Sequence, residues 1–133
     1  MKIKEFNKLV RDRIPEIIEK ANKQVFSKIL DSEDFLYELI KKRNEEFLEL
    51  EEALAKGKIN QIVEEMADLL LVEETIRSID SEKSFFKIFR LIEKLRKDNN
   101  VSRSKLKRVY NIKNKEKGKF NKKIFLLKTQ END

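Results

Sequence analysis

The chain has 133 residues, enough for one domain with a single hydrophobic core, and 42% of them are charged against 39% hydrophobic. It contains no cysteine and no histidine, which excludes disulfides, thiolate metal sites and imidazole ligands or bases. Any metal would therefore be held by oxygen atoms, and Mg²⁺ or Mn²⁺ is the natural candidate. With 2 Gly and 1 Pro, the composition favours helices over an all-β fold.

The net charge of +6 is unevenly distributed. Residues 1–82 hold 14 Lys and Arg against 20 Asp and Glu, whereas residues 83–133 hold 17 against 5. The basic second part suits phosphates, nucleic acid or an acidic partner. The first residues lack the apolar core of a signal peptide, and no apolar run has transmembrane length. The expected location is therefore the cytoplasm, without a membrane partner.

Hydrophobic spacing and end signals predict several helices joined by short links. Asp31 and Ser102 are suitable N-caps, and Gly57 ends the first of two long helices. In chain order, the sequence predicts an extended or irregular lead over 1–14, a short helix over 15–22 and a partly extended segment over 23–30. Long helices follow over 32–55 and 60–79, and amphipathic helices over 82–97 and from 102 to before 118. The last part is an apolar stretch over 120–127, extended or loosely packed, and a frayed tail over 129–133.

Two long helices with so short a link should lie antiparallel. The predicted fold is therefore an all-α helical bundle built on an antiparallel helix hairpin, in one domain over residues 1–133.

Two acidic clusters on the hairpin helices are the most informative feature of the sequence. Glu46 and Glu49 belong to an EExxE pattern, and Glu65 and Asp68 belong to an EExxD pattern. Residues three apart share one helix face, so each cluster presents a carboxylate pair. Four converging carboxylates would repel one another unless a cation lay between them. The alternative is a solvated acidic surface, which is common in highly charged proteins.

Asp68 strengthens the metal interpretation. It lies within the apolar run MADLLLV over residues 66–72, where a carboxylate is at risk of burial. A buried carboxylate needs a metal, a basic side chain or an opening to water.

The ordered motifs resemble a known family. NKLVRDRIPEII over residues 7–18, KILD over 28–31 and GKF with IFL over 118–126 accompany the ExxE and ExxD pairs. Together they are similar to the MazG-like, phosphoribosyl-ATP pyrophosphohydrolase-like subgroup of the all-α nucleoside triphosphate pyrophosphohydrolase superfamily. The resemblance implies hydrolysis of a nucleotide between its α and β phosphates, with release of pyrophosphate. It also implies a homodimer or larger homo-oligomer.

The resemblance carries the Mg²⁺ ligand role to Glu46, Glu49, Glu65 and Asp68, with Mn²⁺ as a possible substitute. Glu45, next to the first pair, is the candidate general base that accepts the proton of the attacking water.

Lys8, Arg11 and Arg13 are the candidate phosphate-binding residues, because Arg makes bidentate contacts with phosphate and Lys acts as a point charge. The alternative is that they pair with Asp12 or with acidic helix faces.

Three features depart from the family pattern. Leu71 stands where the family often has a further acid, and Gly118-Lys119 replaces the usual double glycine near the end. An atypical insertion also lies around residues 73–95. Two other functions therefore stay open. The basic region 83–133 could bind nucleic acid, or the chain could be a non-catalytic regulatory helical protein.

Overall fold

The computed structural model describes residues 2–132, which divide into two compact units. The sheet unit contains the chain up to residue 38 and from residue 114 onward, and the helical unit contains residues 39–113. Within the described residues, no helix combines the length and apolar character that crossing a membrane requires. The elements are, in chain order, β1 (Ile3–Leu9), α1 (Ile14–Lys20), β2 (Lys23–Ile29), α2 (Ser32–Lys56), α3 (Ile59–Ile79), a 3-10 turn (Ser81–Lys83), α4 (Phe86–Asp98), α5 (Arg103–Lys117) and β3 (Ile124–Glu131).

The all-α prediction is wrong, because three strands form an antiparallel sheet in the order β1-β3-β2. β3 is the central strand, with Gln130 opposite both Ile3 of β1 and Gln24 of β2. The prediction of a frayed tail is likewise wrong for Thr129–Glu131, which belong to β3, while residue 133 lies outside the described residues. Each strand needs backbone partners from a distant part of the chain, and local periodicity does not reveal such a pairing.

The sheet unit is tied together at the turn that precedes α1. The backbone N–H of Asp12 donates to the carbonyl of Lys119 over 2.7 Å. The Asp12 carboxylate accepts hydrogen bonds from the backbone N–H groups of Asn121 (2.9 Å) and Lys122 (2.8 Å). Gly118 has a φ of +80°, and a Cβ there would lie 3.0 Å from the Asp12 side chain. A side chain at position 118 would therefore be strained by both backbone conformation and contact.

Strand residues and α1 bury one apolar cluster in this unit. Val10, Ile124 and Leu126 are buried, and half-buried apolar side chains pack against them, namely Phe6, Ile14, Ile18 and Val25. The cluster explains why the amphipathic segments at both ends of the chain adopt strands and a short helix together.

The helical unit begins with the hairpin of α2 and α3. Gly57 ends α2 with a φ of +68°, which a glycine adopts without strain. Arg43, early in α2, contacts Glu73, late in α3. Glu49, later in α2, lies near Glu65, earlier in α3. The contacts therefore run in opposite directions along the two helices, as they do in an antiparallel pair.

The remaining helices complete the core of the helical unit. The predicted helix over 82–97 begins later than expected, because a 3-10 turn precedes α4 and Asp80 caps that turn. Ser102 caps α5 as predicted, accepting a hydrogen bond from the Lys105 backbone N–H over 3.1 Å. The buried core residues are Leu50, Ala53, Ile62, Val63, Met66, Ala67, Leu69, Ile92, Val101 and Leu106.

A buried ion pair joins the hairpin to the 3-10 turn. Arg43 Nη1 lies 3.4 Å from a carboxylate oxygen of Glu73, and Glu73 is 0% exposed. The same carboxylate accepts hydrogen bonds from the Phe85 backbone N–H (2.6 Å) and the Ser84 hydroxyl (3.2 Å). Arg43 also donates to the carbonyl of Lys83 over 3.0 Å. The pair thus satisfies polar groups from three segments of the helical unit.

Arg43→Met should lower the free energy of unfolding by about 3–5 kcal/mol, because it leaves the Glu73 carboxylate buried without its cation. Urea unfolding followed by circular dichroism measures this change. The double variant Arg43→Met/Glu73→Leu is the matched control and should recover most of the loss. A single-variant loss within about 0.5 kcal/mol, as for surface substitutions, would contradict the prediction.

Candidate metal centre

Three of the four predicted metal ligands come together between α2 and α3. Glu46 and Glu49 lie on one face of α2, because residues three apart are neighbours on a helix, and Glu65 faces them from α3. One carboxylate oxygen of each residue lies within 4.8 Å of the others. The hairpin therefore brings together acids that are 16 or more positions apart in the sequence.

The three carboxylates differ in exposure, since Glu46 is buried, Glu65 is half-buried and Glu49 is exposed. Glu46 is 8% exposed, and among the described residues Oε2 of Glu46 and Oε2 of Glu65 are buried without a hydrogen-bond partner. Burial raises the pKa of Glu46 to about 8, and the charges of Asp68 and Glu49 contribute to the increase. Burial also raises the pKa of Glu65 to about 7, with a hydrogen bond to Glu49 as the next cause. The nearby positive charges, Lys42 for Glu46 and Lys113 for Glu65, do not outweigh burial and the neighbouring acids.

Asp68, the fourth predicted ligand, binds a lysine. Its Oδ2 lies 2.7 Å from Nζ of Lys113 on α5, and both side chains are largely buried, at 18% and 13% exposure. Its carboxylate is nevertheless close enough to raise the pKa of both Glu46 and Glu65. The Lys113 ammonium and the charge of Lys42 near Glu46 thus partly compensate the negative charge of the acids.

Lys113 was not among the residues singled out from the sequence. A signal was present, because Leu106, Tyr110 and Lys113 follow the i, i+4, i+7 spacing of one face of α5. A lysine on the inward stripe of a helix requires an acidic partner, and Asp68 was the acid with the greatest risk of burial.

The residues fit a hard divalent cation. Mg²⁺ takes oxygen ligands at about 2.0–2.1 Å, so two ligands on opposite sides of the ion lie about 4.2 Å apart. The 4.8 Å limit of the cluster is close to that span, so small side-chain rotations would complete the coordination. The partnerless oxygens of Glu46 and Glu65 are the atoms that such an ion would satisfy. The donor set therefore suits Mg²⁺ or Mn²⁺.

Glu45 is exposed on α2 and lies outside the three-carboxylate cluster. Its predicted role as a general base stays a prediction.

The predicted phosphate-binding residues belong to the sheet unit, and two of them have structural contacts there. Arg11 is buried and donates from Nη1 to Asn114 Oδ1 over 3.0 Å and to the Gly118 carbonyl over 3.3 Å. Arg13 forms an ion pair with Glu16. The Arg13–Glu16 pair agrees with the alternative stated from the sequence, in which these residues pair with acids, whereas Arg11 binds an amide oxygen and a backbone carbonyl.

Lys8 is exposed on β1, and its ammonium lies 5.5 Å from the centroid of the Phe6 ring. Arg13 also donates from Nη1 to the carbonyl of Lys115 over 2.6 Å. Of the three predicted phosphate-binding residues, Lys8 is thus the one whose charged group is open to solvent without a described acidic partner.

Comparison of the chain with protein-family models, with curated proteins and with solved structures gave no match. Its function is therefore inferred from the acidic cluster and from the sequence resemblance to the pyrophosphohydrolases.

The acidic cluster makes the stability of the metal-free protein depend on pH. Between about 4.5 and about 8, Glu46 and Glu65 hold more protons in the folded state than in the unfolded chain. The free energy of unfolding should therefore decrease as the pH rises through this range, and Glu46→Gln should remove much of that slope. Thermal unfolding in a chelator from pH 4.5 to 8.5 measures the effect.

Glu51→Gln, at an exposed position of the same helix, is the matched control and should keep the wild-type slope. Mg²⁺ should stabilise the wild type more at pH 8 than at pH 5, because its ligands must be deprotonated. At 100 times the dissociation constant the gain is about 2.7 kcal/mol. An unchanged slope in Glu46→Gln would show that the carboxylate is not desolvated.

Proposed function

We propose that the chain is a Mg²⁺-dependent nucleotide pyrophosphohydrolase that cleaves a nucleoside triphosphate or a related nucleotide between its α and β phosphates. The observation that carries the proposal is the buried, partnerless Oε2 of Glu46 beside that of Glu65, in a group of converging acids. The ordered resemblance of the sequence motifs to the MazG-like subgroup supports the reaction class. Clearance of noncanonical nucleotides is the cellular role that we associate with this activity.

The acids have a defined task in this reaction. Glu46, Glu49 and Glu65 hold the divalent ion, and Asp68 completes the ligand set. The bound ion supplies charge neutralisation of the phosphate chain and orientation of the attacking water. Without a cation, the carboxylates would repel a polyphosphate, so substrate binding and metal binding are coupled. Glu45 accepts the proton of the attacking water.

Lys113 extends the predicted set of functional residues. Its ammonium lies among the acids through Asp68 and is largely buried. If Asp68 bound the metal, the Lys113 ammonium would be released to bind a phosphate oxygen as a point charge. Lys113 would then neutralise Asp68 without metal and contact the substrate with it.

The homodimer or larger oligomer that the resemblance implies belongs to the same proposal. Leu48, Phe85 and Phe86 are 63%, 54% and 61% exposed, and they are candidates for burial in the assembly. The mass of the particle in solution, from light scattering, tests this part of the proposal separately from activity.

Pyrophosphate release from a panel of ribo- and deoxyribonucleoside triphosphates, with and without Mg²⁺, tests the proposed activity. Glu49→Gln and Asp68→Asn should keep the fold and lower metal-dependent turnover by at least about 100-fold, because even the outer partners of metal ligands contribute about 10–100-fold. Circular dichroism checks the fold, and Glu51→Gln should retain wild-type turnover. Equal turnover in Asp68→Asn and the wild type, or no release from any nucleotide with Mg²⁺ or Mn²⁺, would refute the proposal.

A further inference from the structure

A second concave site lies in the helical unit, between α3, α4 and α5. It is a cavity of about 270 Å³. That volume lies just below the usual range of small-molecule pockets. It is therefore large enough for one flat heterocycle. No residue of the acidic cluster lines it.

The cavity lining includes apolar and aromatic side chains. Leu70 of α3, Leu106 of α5 and the half-buried Tyr110 are among them. The Tyr110 hydroxyl donates a hydrogen bond to Oε1 of Glu74, which holds the ring in place. A nucleobase of any kind stacks on a fixed aromatic ring beside leucine side chains, because every base has a π face.

The polar groups of the lining restrict which base fits. Glu74 is a carboxylate and so accepts hydrogen bonds, and Asn111 both donates and accepts them. A carboxylate favours a base edge that carries an amino group and disfavours one that presents carbonyl oxygens. Arg103 pairs with Glu93 at 2.9 Å, and the exposed Lys107 adds positive charge to the lining. The lining therefore suits an amino-bearing heterocycle attached to an anion.

The cavity and the acidic cluster are built on the same two helices. Glu74 follows Asp68 by six residues on α3, a rise of about 9 Å. On α5, Tyr110 precedes Lys113 by three residues, so the two share one helix face. Tyr110 contacts Glu74 and Lys113 contacts Asp68, so the cavity lies beside the acids along the α3–α5 contact.

We infer that this cavity binds the base of the nucleotide and selects bases that carry an amino group. The inference rests on the proposed function for the phosphate end of the ligand. The base stacks against Tyr110, its amino group donates to Glu74, and the sugar leads along α3 toward the acids.

Binding of AMP, GMP, CMP and UMP to the full chain, without metal, tests the cavity separately from hydrolysis. Amide chemical shifts in ¹⁵N-labelled protein report both affinity and location. We expect the three amino-bearing nucleotides to shift residues of the cavity and to bind about tenfold or more tightly than UMP, the effect of one charged hydrogen bond. Shifts confined to other residues, or UMP binding as tightly as the others, would overturn the inference.

Two variants and a matched control sharpen the test. Asn111→Trp places an indole in the lining of the cavity, where it takes the space of the base. Binding should weaken at least about tenfold, because the stacking of one base is lost. Ile112→Trp adds the same indole at the next, exposed position outside the cavity and should bind as the wild type does. Glu74→Gln removes the charge with little change of shape and should abolish the preference over UMP.

The outcomes separate the two proposals. If turnover requires Glu49 and Asp68 while Asn111→Trp keeps the wild-type KM for every nucleotide, the base site is refuted and the proposed function stands. If the monophosphates bind in the cavity but no nucleotide is hydrolysed, the proposed function is refuted and the base site stands. Wild-type binding by both Asn111→Trp and Glu74→Gln would refute the base site.

Discussion

The burial of charged side chains is the constraint on which this structure depends. A buried charge is costly unless it has a partner, and most of the buried charged residues that the structure describes have one. Arg43 pairs with Glu73, Arg96 with Glu93, and Arg11 with the amide oxygen of Asn114. Glu46 differs, because one of its carboxylate oxygens is buried without a hydrogen-bond partner. Glu65 shares this feature, so among the described residues these two glutamates have a buried side-chain oxygen without a hydrogen-bond partner.

The same constraint links stability to function in the helical unit. The Arg43–Glu73 pair and the Gly57 turn hold the hairpin on either side of the acidic cluster, so the carboxylates cannot separate without disrupting satisfied contacts. Protons compensate part of the repulsion in the metal-free protein, since burial raises the pKa of Glu46 to about 8. A metal ion would replace those protons, which makes metal binding, pH and folding parts of one equilibrium. Local destabilisation of this kind is typical of functional sites.

Helix α5 connects the two candidate binding regions. Lys113 contacts Asp68 next to the acidic cluster, and Tyr110, one turn earlier, contacts Glu74 at the cavity. The basic residues of the C-terminal part therefore have a structural role besides the alternative of nucleic-acid binding, because Lys113 pairs with an acid of α3. The outward-facing lysines of the same part would raise the local concentration of anionic nucleotides. Helix α5 therefore contacts acids of α3 both beside the acidic cluster and at the cavity.

The sequence by itself determined the helices and the acidic faces. Apolar residues at i, i+3 and i+4 defined α2 and α3, Asp31 and Ser102 marked helix starts, and the three-residue spacing of Glu46 and Glu49 set their common face. These features depend on residues that are close in the chain, so they can be predicted from the sequence without a structure. Only the tertiary structure decided the β1-β3-β2 sheet, the pairing of Lys113 with Asp68 and the structural contacts of Arg11. Those arrangements depend on which distant segments meet, because a strand or a buried charge is stabilised by a partner whose position no local periodicity specifies.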